Sequence, residues 1–285
     1  MIILLIFLLS ALMIGAFYLL KTRRKIKKTP PLVRCEYWVY GRVTKRPSDK
    51  QLLERLLKNN PHYKKGSVPI GSREGVYYSD VRFHIGIVPK ETNQLMFRPE
   101  VIGEPDSEPS PDIMRRASDS QGILRVLFVS EKEKILNKSH VQFITHATDA
   151  VGEISNGTVV FDVEAQQFFT KEEFYKMLQK DNDGTRFDLQ VVVRWKETPQ
   201  EGCAFTRGMA KIGLPDLLME GVPHDHKTLA LYIVQTVAKN CWDAVDLTPM
   251  EIEGYGEMFF VEFGVPRVAD ESHRGWVCSI FVKRL

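Results

Sequence analysis

The first twenty residues, MIILLIFLLSALMIGAFYLL, contain no charged side chain. Elsewhere the chain is poor in motifs. Its four cysteines, Cys35, Cys203, Cys241 and Cys278, are scattered with no C-x-x-C pair. That spacing resembles neither a zinc cluster nor a small disulfide scaffold, so reduced and mostly buried thiols are expected. H-x-x-x-H, H-E-x-x-H and G-x-S-x-G are all absent, which removes the usual signatures of a zincin or a serine hydrolase. No cofactor motif stands out. An excess of one charge sign is missing too, with 39 Lys and Arg against 36 Asp and Glu, a net +3. Residues 21–28 hold six basic side chains and no acidic one, and 3 − 6 leaves residues 29–285 at −3. A faintly acidic body argues against DNA or RNA as a partner. Hydrophobic content of 44% and aromatic content of 10% belong to a folded chain rather than a disordered one.

The opening run, Ile2 to Leu20, has Ser10 and Tyr18 as its only polar side chains. As a helix its nineteen residues extend about 28 Å, close to the hydrocarbon thickness of a bilayer. A helix satisfies its own backbone, so the run can cross lipid. A cleaved signal peptide would carry a basic stretch before the apolar run and an A-x-A-like site after it, and neither is found. The expectation is an uncleaved single-pass anchor over residues 1–20, followed by a basic juxtamembrane linker over 21–32. Lys21, Arg23, Arg24, Lys25, Lys27 and Lys28 form a collar that can lie against anionic headgroups. The positive-inside rule then puts the amino terminus outside and the body in the cytoplasm, at the inner face of the cell membrane. Two N-x-S/T sequons, at Asn137 and Asn156, would matter only in a lumenal protein.

Beyond Pro30-Pro31, residues 33–43 read as a strand, and Ser48 as the cap of a helix, DKQLLERLLKN. Residues 59–75 are turn-rich, and 81–89 alternate as a strand. Residues 98–121, rich in Pro, Ser, Asp and Glu, read as an exposed excursion and a possible place to subdivide the domain. They include Arg115-Arg116-Ala117-Ser118, a pattern that basophilic kinases accept. Then follow a strand (123–130), a helix (139–154) stopped at Asn156-Gly157, and a strand (158–169). Thr170 with Glu173 forms a capping box for the next helix. A turn at 181–184 leads to a strand over 187–197, a short strand near 203–208 and a turn at Gly213-Leu214-Pro215. An amphipathic helix over 227–243 and strands at 248–253, 257–264 and 276–283 complete the chain. Helices interspersed with hairpin-linked strands indicate an α+β domain over 33–285, with mostly antiparallel sheet and packed helices.

The order of VVFDVEAQQFFTKEEF, LQVVVRW and TRGMAKIGLPDLLMEGVP, followed by helix and hairpin, resembles an uncharacterised bacterial domain family over residues 80–285. Thr206-Arg207-Gly208-Met209 and Gly213-Leu214-Pro215-Asp216-Leu217 carry most of the resemblance. It implies a fold type and no activity. Domains of this general sort occur among bacterial toxin-immunity and accessory proteins.

Several constellations deserve weighing. His224-Asp225-His226 could begin a metal site, but no further ligand is evident at zinc spacing, and Asp225 reads better as the cap of the following helix. His146 and Asp149 share a helix face and, with Cys203 or His84, could form a nucleophile–base pair; a polar helix face is the plainer reading. Asp181, Asp183 and Asp188 lack the spacing of an EF-hand and read as a turn. Gly254-Tyr255-Gly256 reads as a hairpin turn, because no helix follows it. The Leu, Ile and Val stripe of residues 229–238 is core packing.

The residues therefore assign no catalytic, cofactor-binding or metal site. They point to a membrane-anchored cytoplasmic protein-binding module, in its specific form a toxin-immunity or accessory protein. Its partners would be lipid, through residues 2–20 and the collar, and a protein. The loop at 98–121 and the Gly213-Leu214-Pro215 turn are the expected contact surfaces. One rival is a tethered hydrolase built on His146, Cys203, His224 and His226, and another is a structural subunit of an envelope complex.

Overall fold

A computed structural model describes residues 33–59, 81–103, 109–130, 138–180, 182–268 and 276–285. The apolar run, the basic collar and the turn-rich stretch after residue 59 lie outside these. Among the described residues no helix is long and apolar enough to cross a membrane. Residues 31–285 form one unit, and its class is α+β.

Two sheets organise it. The first has the order β2-β3-β1-β4-β5, and its pairs are antiparallel. Its strands are β1 (Val33–Gly41), β2 (Val81–Pro89), β3 (Gly122–Ser130), β4 (Gly157–Asp162) and β5 (Gln167–Thr170). β1 lies at the centre and shows the period-two alternation of a strand covered on both sides. Val33, Cys35, Tyr37 and Val39 enter one core cluster, and Tyr40 enters another on the opposite face.

The first cluster is closed by α1 (Asp49–Asn59), α3 (Ser139–Ile154) and α4 (Lys171–Gln179). Ser48 caps α1 as expected, its hydroxyl accepting from Gln51 N at 3.3 Å. Helix α3 is buried along most of its length, threonines included. Thr145 and Thr148 hydroxyls donate to the carbonyls of Val141 and Ile144, each at 2.8 Å, so these polar side chains enter the core already satisfied.

The opposite face carries the main departure from the sequence reading. Residues 98–121 are not an open excursion. They contain a helical turn, Pro99–Ile102, and α2 (Pro111–Asp119), with only 104–108 outside the described residues. Ser110 caps α2, accepting from Ile113 N at 3.4 Å, and Pro111 occupies the first helical turn, where its missing N–H costs nothing. Ile113 and Ala117 then pack with Phe97, Tyr40, Ile123, Val159 and Phe161. The Arg115–Ser118 pattern therefore lies on a packed helix, with Arg115 and Arg116 paired to Asp112.

The second sheet runs β6-β7-β8-β12-β10-β9, with β11 paired to β12. Its strands are β6 (Val192–Glu197), β7 (Gly202–Arg207), β8 (Asp216–Val222), β9 (Met250–Gly254), β10 (Glu257–Phe263), β11 (Arg267–Val268) and β12 (Trp276–Arg284). One pair, β8 with β12, is parallel. α5 (Lys227–Ala244) covers one face. Its Ala230, Ile233, Val234, Val237, Ala238 and Cys241 follow helical spacing and pack against Ala204, Leu217, Ile252, Val261 and Ile280.

Three further expectations are corrected. Residues 158–169 form a hairpin, β4-turn-β5, because Gln166 takes a left-handed φ of 52° and reverses the chain without a glycine. Residues 187–190 form a helical turn before β6 rather than strand. The N-cap position of α5 falls on His226 with no side-chain cap bond, so Asp225 sits in the short turn ahead of it rather than capping it.

Candidate functional site

The outer edge of β5 and one face of α4 enclose a groove of about 560 Å³. β5 contributes Gln167, Phe168 and Phe169, α4 contributes Glu173, Lys176 and Met177, its C-cap is Lys180, and the next turn contributes Arg186 and Asp188. Glu173, Lys176 and Met177 are spaced i, i+3 and i+4, which is one helix face, and Lys180 caps that helix. Among the described residues β5 is the last strand of its sheet, so its outer backbone edge is left to the groove.

The capping box builds the junction. Thr170 Oγ1 accepts from Glu173 N at 3.1 Å, and Glu173 Oε2 accepts from Thr170 N at 2.8 Å. That second bond turns the Thr170 N–H away from β4. Because backbone groups alternate along a strand, the Phe168 N–H and C=O point the same way, toward the groove. Arg186 closes the far end. Its guanidinium donates to the Met177 and Lys180 carbonyls at 3.2 and 3.3 Å and pairs with Asp188 at 3.0 Å, satisfying the last carbonyls of α4. Three of the five charged lining groups, Glu173, Arg186 and Asp188, are thus committed to structural bonds. Phe168 and Phe169 are fixed by rings behind them, with Phe161 stacked at 4.2 Å and Phe174 edge-on at 5.8 Å.

Apart from the groove, a buried polar network joins β4 to the turns that flank β6 and β8. The Lys211 ammonium pairs with Asp162 and donates to Gln190 O and Oε1, both at 2.8 Å. It also stands 5.3 Å from the centre of the Tyr37 ring. Tyr37 donates its hydroxyl to Gln190 Oε1 at 2.7 Å, and Gln190 Nε2 donates to Thr145 Oγ1 at 2.9 Å and Gly184 O at 2.6 Å. Burial raises the Asp162 carboxyl above its usual range, with Lys211 opposing. Burial and the Asp162 charge push Glu164 up to about 8. Burial alone would also raise Glu36, but Arg125, Arg34 and the Trp38 indole outweigh it and hold that carboxyl low. Lys211 and Asp162 have no solvent exposure. The network holds the sheets together, and nothing on it is presented to a substrate.

The residues singled out from the sequence are dispersed. His146 and Asp149 are buried on α3 rather than forming a solvated polar face. His146 accepts from Gln142 Nε2 at 2.9 Å, and Asp149 pairs with Arg55 of α1 at 3.4 Å. Burial raises the Asp149 carboxyl, with Arg55 opposing. Cys203 lies on β7, partly buried, and His84 is exposed on β2. His224, Asp225 and His226 are all exposed. Among the described residues no group of three or more His, Cys, Asp or Glu side chains could hold a metal ion. Gly213, Leu214 and Pro215 are buried, so this turn is core and not the contact surface expected of it. No disulfide joins the cysteines, and Cys35, Cys241 and Cys278 are buried.

Sequence reasoning found the capping box but not the groove, which depends on β5 being an edge strand. The signal available was the run of Lys176 and Lys180 at i, i+4 beside Phe168-Phe169. Comparison with protein-family models, with curated proteins and with solved structures finds no match for this chain.

Proposed function

We propose that this chain is a membrane-tethered protein-binding module whose α+β unit works on the cytoplasmic side. The observation that carries the binding role is the groove between the edge of β5 and α4. Exposed strand edges flanked by side-chain pockets are a recurrent way of taking up a partner chain. The tether is supported by the charge-free run of residues 1–20 and the six basic residues after it, a length and charge pattern suited to a single span with the collar inside. The narrower form of the reading, an immunity or accessory protein, rests on the resemblance of residues 80–285.

The test is affinity capture of the full chain from detergent-solubilised membranes, with chemical crosslinking before lysis. The expected result is one reproducible protein partner crosslinked to the α+β unit. Repeated capture without a specific partner would sink the proposal.

A further inference from the structure

We infer that the β5–α4 groove takes an extended acidic segment of a partner protein, added to the sheet as a sixth strand; this rests on the binding role proposed above. Three features of the groove choose that occupant. The Phe168 N–H and C=O face outward on a strand four residues long, which offers main-chain hydrogen bonds to a chain of similar length. Extended backbone can use them, whereas a helix has satisfied its own.

The second feature is charge. The lining holds three cations, Lys176, Lys180 and Arg186, against two carboxylates, Glu173 and Asp188. Asp188 is paired with Arg186, and the exposed Lys176 and Lys180 outnumber the remaining Glu173 toward an incoming chain. The third is spacing. Lys180 caps the C-terminus of α4 four residues after Lys176, which places the two about 6 Å apart along the helix axis. Alternate side chains on a strand repeat at about 6.6 Å. Acidic side chains two residues apart on the added strand therefore meet both ammonium groups, while the intervening side chains turn to the opposite face, beside Phe168. The partner signature is Asp/Glu-x-Asp/Glu within an otherwise apolar extended segment.

The probe is a displayed library of random twelve-residue peptides selected on the full chain in lipid nanodiscs, followed by fluorescence anisotropy with the enriched sequences. Peptides with alternating acidic residues are expected. Lys176→Glu with Lys180→Glu should weaken them at least tenfold, and Lys176→Gln with Lys180→Gln less. N-methylation of alternate peptide amides should abolish binding in one phase and spare it in the other. Enrichment of basic or helical peptides overturns the inference, as does no enrichment, or binding indifferent to either perturbation. A concentration-dependent dimer that blocks peptide binding makes a second copy the occupant and also overturns it. Membrane capture separates the two levels of failure. A partner retained equally by the Lys176→Glu, Lys180→Glu chain removes the groove and leaves the binding module. No partner with either chain removes both.

Discussion

The ammonium of Lys211, on the short turn before β8, meets the carboxylate of Asp162, at the end of β4, with neither side chain exposed to solvent. The pair links one sheet to the other, and Gln190 and Tyr37 complete the shell around the lysine. Replacing one partner leaves the other as an uncompensated buried charge. Lys211→Met is therefore expected to destabilise the protein by about 3–5 kcal/mol, whereas removing both charges together costs less than the sum of the single changes. Urea unfolding of Lys211→Met, Asp162→Leu and the double variant measures this. Additive losses would show that the two groups do not act as a pair.

Glu164 gives the fold a pH dependence of a particular sign. Its carboxyl is raised from about 4.5 to about 8 by burial and by Asp162, so the folded state holds a proton that the unfolded chain releases. The stability linked to that proton is complete below about 4.5 and falls away as pH rises through about 8. Asp162 and Asp149 are raised as well and act in the same direction, while the lowered Glu36 acts in the opposite one. The expected result is a denaturation midpoint that declines between pH 5 and 8, and a shallower decline in Glu164→Gln. An unchanged slope in that variant would assign the dependence elsewhere.

The elements with a strong local period were legible in the sequence. β1, β3, α3 and α5 announce themselves by spacing, and Thr170-Glu173 by its capping box. Three things were hidden for physical reasons. The β4–β5 turn uses Gln166 at φ 52°, a conformation that the sequence marks poorly without glycine or asparagine. The helical turn at 187–190 sits inside an apolar run that reads as strand, and it is fixed by partners far along the chain, Tyr37 and Lys211. α2 lies in a stretch whose prolines and serines suggest a loop, although Ser110-Pro111 is also a helix start. The groove was illegible because it depends on the pairing order that leaves β5 at an edge. No local pattern encodes that order.

Gly208 tests how tightly the 187–190 turn is seated. It adopts φ 111°, and an added Cβ would lie 2.2 Å from Gln190 O. That carbonyl accepts from Lys211, so relief of the clash moves a member of the buried network. Gly208→Ala is expected to cost at least about 1–3 kcal/mol, from the left-handed backbone alone. Thermal unfolding beside a Gly256→Ala control is the check. Gly256 has φ 78° and open space around its missing Cβ, so it reports backbone strain without the clash. Equal losses at the two sites would remove the argument from crowding.

Thr170 links the stability of α4 to the shape of the groove. Its hydroxyl and the Glu173 carboxylate satisfy each other's backbone N–H groups, and loss of such a cap typically costs about 1 kcal/mol. Thr170→Ala should lower stability by about that amount, and Thr170→Ser should restore most of it. Hydrogen exchange should rise first in the opening turn of α4 and spare α5. Uniform exchange across both helices would mean that the cap does not act locally.

The proposed tether makes a separate claim about topology. An apolar span of nineteen residues is long enough to hold the chain in lipid, and each basic residue near an anionic surface adds about 1 kcal/mol. The full chain is expected to sediment with membranes and to resist carbonate washing, and removal of residues 1–20 should release it. Orientation is read with a C-terminal tag in sealed vesicles, which should be digested in inside-out preparations and protected in right-side-out ones. Replacing Lys21, Arg23, Arg24, Lys25, Lys27 and Lys28 by Gln should scramble that protection, because the collar is what sets the direction of insertion. If the tag lies outside with the collar intact, the body faces the envelope or lumen. The search for an acidic partner segment would then move to that side of the membrane.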